Sequence, residues 1–182
     1  MNTFQWKNDK EVLSAAVGGN SLATKEIVLL LSNDAIRLAW RIMGTRQDAE
    51  DIVQTAFLKL WKNHDHFQGD AKLKTYFYTI VQRECFDTLK KNKNHWNIDE
   101  VDETISEDFA DPIDSDDTSE LKSAIHILPP KQRLAIVMWA YHDNTAEEIG
   151  EQLEMNKNAV DQLLFRAKAN LKKYFESKKY AR

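Results

Sequence analysis

The chain has 182 residues, enough for one domain or two small ones. Five glycines, three prolines and 30% charged residues fit a helical, soluble protein, while a formal net charge of −4 argues at first against a nucleic-acid partner. Cys85 is the only cysteine, which excludes an internal disulfide and suits a reducing, cytoplasmic setting. The longest apolar run, Ile27 to Leu31, is far too short to span a bilayer, and nothing at the N-terminus resembles a signal peptide, so no membrane insertion is expected.

The first helical body is predicted over residues 13–94. Thr24 to Met43 has helical periodicity, with Leu30, Ile36, Leu38 and Trp40 in its apolar set, and Gly44 stops it. Thr45-Arg46-Gln47-Asp48 then opens a new helix with a pattern like a capping box. Ile52, Val53, Ala56, Phe57, Leu60 and Trp61 form its buried stripe. Its outer face carries Asp48, Asp51, Gln54, Thr55, Leu58 and Lys62. One exposed leucine is ordinary, but beside acids on a rigid helix it suits an interface. His64 to Lys74 is polar, contains Gly69 and reads as a loop. Tyr76-Phe77-Tyr78 opens a last helix through Ile80, Val81, Cys85, Phe86 and Leu89, ending in the basic run from Lys90 to Lys93. Aromatics and bases beside a loop suit single-stranded nucleic acid, although at least two of these three aromatics are expected to face the core.

Asp99 to Glu120 holds eleven acids and no Lys or Arg; the rest of the chain then carries 25 bases and 18 acids. Basic bodies on either side of an acidic strand suit a nucleic-acid protein whose linker masks or mimics nucleic acid, and the same composition equally suits a solvated spacer. The second body is predicted over residues 119–180. Leu121 and Ile125 are taken as core positions of a short helix ended by Pro129-Pro130, and Pro130 fits the first turn of the next helix, through Leu134, Met138 and Tyr141. Thr145 and Glu148 form a capping box for a helix that buries Ile149 and Leu153. After the turn at Glu154-Met155-Asn156, with Asn156 as cap, Val160, Leu164, Ala167 and Leu171 fall on one stripe of the last helix. Asn158, Gln162, Phe165, Arg166 and Lys173 occupy the opposite face, and residues 157–182 hold eight Lys or Arg against two acids. This is the pattern of a helix-turn-helix whose second helix enters a DNA major groove; a helical hairpin that merely closes a bundle shares part of it.

No catalytic constellation is present in the sequence, so an enzyme is not expected, nor a cofactor. His64, Asp65, His66 and Asp70 lie in a polar loop without ligand spacing, and no metal is assigned to them. There is no glycine-rich phosphate loop and no nucleophile elbow.

These motifs together resemble the extracytoplasmic-function (ECF) sigma factors of the sigma-70 family of bacterial RNA polymerase. The resemblance runs from about Ala15 to Tyr174. Asp48 to Trp61 is similar to the helix that binds the polymerase clamp, Phe67 to Lys91 to the −10 element region, and Leu121 onward to the −35 domain. The resemblance implies an all-α, two-domain fold with a flexible acidic linker over 95–118. It implies core RNA polymerase, through its β′ clamp and β subunits, and promoter DNA as partners, with an anti-sigma factor as a candidate third, and a protein that is monomeric when free. Polymerase contacts would then fall to Asp48, Asp51, Gln54, Thr55 and Leu58. Contacts to the −10 strand would fall to His64, Phe67, Lys72, Lys74, Tyr76, Arg83, Lys90 and Lys91. Contacts to the −35 duplex would fall to Lys157, Asn158, Asp161, Gln162, Phe165 and Arg166. The chain departs from the family pattern at Thr55 (usually Glu), Tyr76 (usually Trp) and Arg83 (usually Asn). It departs again at Gly150 (commonly Ala) and Glu154 (usually the turn Gly), and Asp161 and Leu163 stand where Lys and Arg are frequent. A glutamate in the turn implies backbone that avoids positive φ or accepts strain.

Two other readings stay open on sequence alone. A stand-alone helix-turn-helix regulator that binds duplex DNA as a dimer accounts for the C-terminal body but not for the Asp48–Trp61 face. A helical interaction module without nucleic acid accounts for the helices but gives the basic faces no role.

Overall fold

A computed structural model of the chain describes residues 7–92 and 119–180. The acidic stretch that the sequence assigns to a linker lies, but for its last two residues, outside those described. The described residues form α-helices and one 3-10 turn, with no strand among them. They fall into two compact units, 7–40 with 45–85, and 41–44 with 86–92 and 119–180.

The first unit begins with a helix that the periodicity does not reveal, α1 (Asp9–Val17), capped by the Asn8 side chain, which accepts from the Glu11 N–H. The long α2 (Ser21–Met43) buries Ala23, Ile27, Leu31, Ala35 and Leu38, spaced by three and four residues. Leu30, expected in the apolar set, is 54% exposed, because the stripe through Ile27 and Leu31 turns Val28, Leu29 and Leu30 outward. Gly44 follows at φ +90°, a conformation that ends the helix at little cost only for glycine. In α3 (Arg46–Lys62), Thr45 Oγ1 accepts from the Asp48 N–H and donates to the Asp48 carboxylate, the cap the sequence predicts. Ile52, Val53, Ala56 and Leu60 are buried as expected, and Phe57 and Trp61 are half-buried. A 3-10 turn (His64–His66) and a short loop lead into α4 (Leu73–Lys91), which starts three residues before Tyr76. Phe77, fully buried, lies with its ring centroid 4.5 Å from that of Phe57 and locks α4 against α3. Tyr76 and Tyr78 are only half-buried, so one aromatic of the three, not two, fills the core. Cys85 is buried, and burial pushes its thiol pKa up, leaving it unreactive.

In the second unit α5 (Ser119–His126) buries Ala124 and Ile125, whereas Leu121, expected in the core, is 40% exposed; its helix turns a different side inward. Pro129 and Pro130 open α6 (Pro130–His142), whose Leu134, Ala135, Val137 and Met138 are fully buried, while Tyr141 is exposed. Arg133, also buried, donates to the His126 carbonyl at 3.1 Å. Burial, followed by the positive charge of Arg133, pushes the His126 imidazole down to about 3 and keeps it neutral. α7 (Ala146–Leu153) carries the predicted capping box, with the Thr145 N–H donating to Glu148 Oε2 at 2.7 Å and the Glu148 N–H donating to Thr145 Oγ1 at 3.2 Å. α8 (Lys157–Tyr180) is capped by Asn156, whose Oδ1 accepts from the Ala159 N–H at 2.8 Å. α6 and α7 both pack on α8, and the buried Gln132 accepts from the Asn170 side-chain amide at 2.8 Å.

The turn between α7 and α8 resolves the two departures noted there. Glu154 takes the left-handed conformation (φ 55°, ψ 39°), so this turn accepts strain that a glycine would avoid. The Met155 N–H donates to the Gly150 carbonyl at 2.9 Å, and a Cβ on Gly150 would stand 2.6 Å from the Met155 carbonyl oxygen. Glycine is needed in the helix for close approach of the backbone, while the turn itself tolerates a side chain. Chemical denaturation of the full chain should therefore show Glu154→Gly stabilising by about 1 kcal/mol, and Gly150→Ala destabilising by about 1–3 kcal/mol; equal small effects at both positions would contradict this account.

Candidate nucleic-acid interface

α3 and α8 are built alike: each buries one stripe and holds out another. On α3 the exposed residues Asp51, Gln54, Thr55 and Leu58 follow at spacings of three, one and three, which places them on a single ridge, and Leu58 is 66% exposed. Asp48 stands at the head of the same helix, its carboxylate engaged with the Thr45 hydroxyl. The Lys59 ammonium donates to the carboxylate of Glu84, a buried residue of α4, so the ridge is fixed in register against the helix behind it.

The loop and α4 arrange their expected DNA contacts differently from the sequence reading. Phe67 is only 3% exposed and its ring packs 5.2 Å from that of Tyr76. The contact to the −10 strand that the resemblance assigns to Phe67 is corrected: the ring anchors the loop to the core, and a buried ring has no free face. His64 is held within its own turn, Nδ1 lying 3.1 Å from the Trp61 carbonyl and Nε2 3.0 Å from the Asp65 carboxylate. Lys74 donates to Asp34 of α2 at 2.5 Å and lies 5.6 Å from the centroid of the Tyr78 ring. The hydrogen bond with Lys74 holds the Asp34 carboxyl below its usual pKa, and in return the lysine is raised. No local pattern links Asp34 to Lys74, which stand 40 positions apart. Lys72, Arg83, Lys90 and Lys91 are exposed, and Tyr76 is half-buried.

On α8, Val160, Leu163, Leu164 and Ala167 are buried, which leaves Lys157, Asn158, Asp161, Gln162, Phe165 and Arg166 outward. Phe165 is 75% exposed, a large apolar side chain with no packing role in this unit. Lys157 donates to Glu147 at the start of α7 at 2.5 Å; this bond lowers the glutamate pKa and raises that of the lysine, tying together the N-termini of the two helices. Lys168 lies 3.7 Å from the centroid of the Trp139 ring, a cation–π contact with no local signature, while Lys172 stands 3.8 Å from Glu176. The exposed face of the first turns of α8 thus holds the amides of Asn158 and Gln162, the Phe165 ring, the Asp161 carboxylate and the bases Lys157 and Arg166.

Residues 27–95 match the family described as Sigma-70 region 2, and residues 118–171 match Sigma-70, region 4. The chain is 31% identical over 134 residues to the RNA polymerase sigma factor SigV of Bacillus subtilis (strain 168), covering 74% of this chain and 80% of that protein. The chain belongs to the ECF branch of the sigma-70 family. It is also 29% identical over 168 residues to the ECF RNA polymerase sigma factor SigW of the same organism, covering 85% of this chain and 90% of that protein. Among solved structures, the sigma factor RpoE in complex with the anti-sigma factor NepR from Bartonella quintana shares the fold, with a TM-score of 0.59 at 21% identity over 84% of this chain and 96% of that one. As a sigma factor the chain binds core RNA polymerase and directs promoter recognition and transcription initiation. A stand-alone regulator would leave the region 2 match unexplained. No helix among the described residues is long and apolar enough to cross a membrane.

The Lys59–Glu84 pair gives a direct check on how the ridge is held. Lys59 is nearly half exposed, so its loss is screened, but it leaves a buried carboxylate without its cation. Lys59→Met should lower the unfolding free energy in urea by about 1–2 kcal/mol, and adding Glu84→Leu should recover most of that. A double variant no more stable than the single one would mean that the pair does not couple α3 to α4.

Proposed function

We propose that the α3 ridge docks on the β′ clamp of core polymerase, that the 64–74 loop and the exposed bases of α4 take the unwound −10 strand, and that the outward face of α8 reads the −35 duplex. The ridge carries this reading: Asp51, Gln54, Thr55 and Leu58 stand together on a helix whose core stripe is already complete, so neither the Asp51 carboxylate nor the exposed leucine serves the fold. Thr55 keeps the ridge polar where the family usually has a further acid. Asp48 contributes charge at the head of the helix while its carboxylate accepts from the hydroxyl of Thr45, the helix cap.

At the −10 element, the loop receives a base that has left the stack, at a cost of a few kcal/mol that polymerase-bound contacts offset. Free sigma factor therefore binds promoters weakly. Lys72, Arg83, Lys90 and Lys91 guide the backbone of the strand, Tyr76 and His64 border the loop, and Lys74 acts from within its pair with Asp34. At the −35 element, Asn158 and Gln162 suit adenine, Phe165 a thymine methyl, and Arg166 guanine or phosphate; Lys157 and Asp161 flank them. The domains of this reading are 13–94 and 119–180 with the acidic linker between them. The protein performs no catalysis of its own, acts in the cytoplasm as a monomer until it meets core enzyme, and has an anti-sigma factor as candidate regulator.

Asp51→Arg with Gln54→Ala should abolish co-elution with core polymerase while helicity and thermal midpoint stay near wild type; undiminished co-elution would remove the ridge from the interface. Gln162→Ala should change preference at one −35 base by about 1–3 kcal/mol in competition binding, whereas an equal loss on all promoters would make Gln162 a positioning contact. Lys168→Ala and Lys172→Ala should each weaken promoter binding across sequences and flatten its salt dependence, whereas an unchanged salt slope would remove both from the phosphate contacts.

A further inference from the structure

One helix of the first unit has no part in the surfaces described so far. α1 packs against the 3-10 turn at His64–His66, and its first residues meet the loop that leads into α4. Asp9 Oδ2 accepts from the backbone N–H of Leu73 at 2.7 Å across 64 positions of sequence. Leu73 opens α4, and its N–H is one of those a helix cannot satisfy internally, so α1 supplies a cap for α4. One residue on, the Lys10 ammonium donates to Gln68 Oε1 at 3.2 Å, and the Gln68 side-chain amide donates to the Asp65 carbonyl at 2.6 Å. Gly69 follows at φ +87°, and a Cβ there would lie 3.9 Å from that of Lys10. The start of α1 and loop residues 68–72 form the two walls of an open cleft of about 550 Å³.

These contacts do more than attach a helix. Apolar burial of Val12, Leu13 and Ala16 already attaches α1 to its unit. The polar contacts are instead directed at one loop, which Phe67 anchors in the core at its entry and Asp9 caps at its exit. A loop that captures an unstacked base discriminates best when its shape exists beforehand, because any ordering left to the binding step lowers affinity and blurs the difference between bases. We propose that Asp9, with Lys10 in support, is a positioning residue for −10 recognition: α1 holds the 68–72 loop in its base-receiving shape and so sets how strictly that base is discriminated. This rests on the reading of 64–74 as the capture loop.

The test uses the full chain assembled with core polymerase. It compares open-complex formation on promoters with a matched or a substituted −10 base, and hydrogen exchange at the Leu73 amide. Asp9→Ala should keep core-enzyme affinity, speed exchange at Leu73 and lower the matched-to-substituted ratio about tenfold. Asp9→Asn, whose Oδ1 still accepts from the Leu73 N–H, should restore most of the ratio. Faster exchange with an unchanged ratio would make Asp9 a structural cap only and overturn the proposal. Replacing 68–72 with Gly and Ser separates the two levels. If the ratio survives that replacement, the capture-loop reading fails and this proposal with it; if it collapses while Asp9→Ala leaves it intact, only the role of α1 is lost. Should Asp9→Ala fail to fold, Lys10→Ala at its exposed site should lower the ratio about threefold, and an unchanged ratio there overturns the proposal equally.

Discussion

The packing of α3 against α4 is the contact on which the working surfaces of the first unit depend. Phe57 meets the fully buried Phe77 between the two helices, and Lys59 neutralises the buried Glu84 carboxylate beside them. The aromatic contact supplies burial without a strict register, since rings accept a range of tilted geometries. The ion pair supplies the register, because a buried carboxylate is tolerated only where its cation stands. With α3 fixed in rotation, Asp51, Gln54, Thr55 and Leu58 point outward together. With α4 fixed, the loop before it leaves the core at a defined place.

The second unit solves a related problem with backbone rather than charge. The direction of the exposed face of α8 is set by α6 and α7, which pack on its buried stripe. The tight turn from α7 to α8 requires one residue in the left-handed region and one close approach of chain to helix. Here the close approach has taken the glycine, Gly150, and the left-handed position has taken Glu154. The turn therefore carries some strain, held by the Thr145–Glu148 capping box on one side and the Asn156 cap on the other.

Much of this was legible locally. The caps at Thr45, Thr145 and Asn156 were readable because capping is chemistry between residues three apart, and the stripes of α3 and α8 because burial repeats with the helical period. The misreadings share a different cause. In α2 a run of five apolar residues fits several stripes, and only packing selects Ile27 and Leu31 over Leu30. Phe67 stands in a polar loop that the resemblance assigns to the −10 strand, but its ring is buried and packs on Tyr76. Lys74 with Asp34, Lys59 with Glu84 and Leu73 with Asp9 are joined across 25 to 64 positions, and no local pattern announces them. The family resemblance proposes the surfaces. The pairings that shape them came from the fold.

The central claim is that this chain gives core RNA polymerase its choice of promoter. Run-off transcription with purified core enzyme on fragmented genomic DNA, with and without the chain, tests this most directly. The account predicts discrete start sites that appear only when the chain is added and share spaced −35 and −10 sequences. Start sites unchanged from those of core enzyme alone, together with tight duplex binding by the free chain as a dimer, would contradict it.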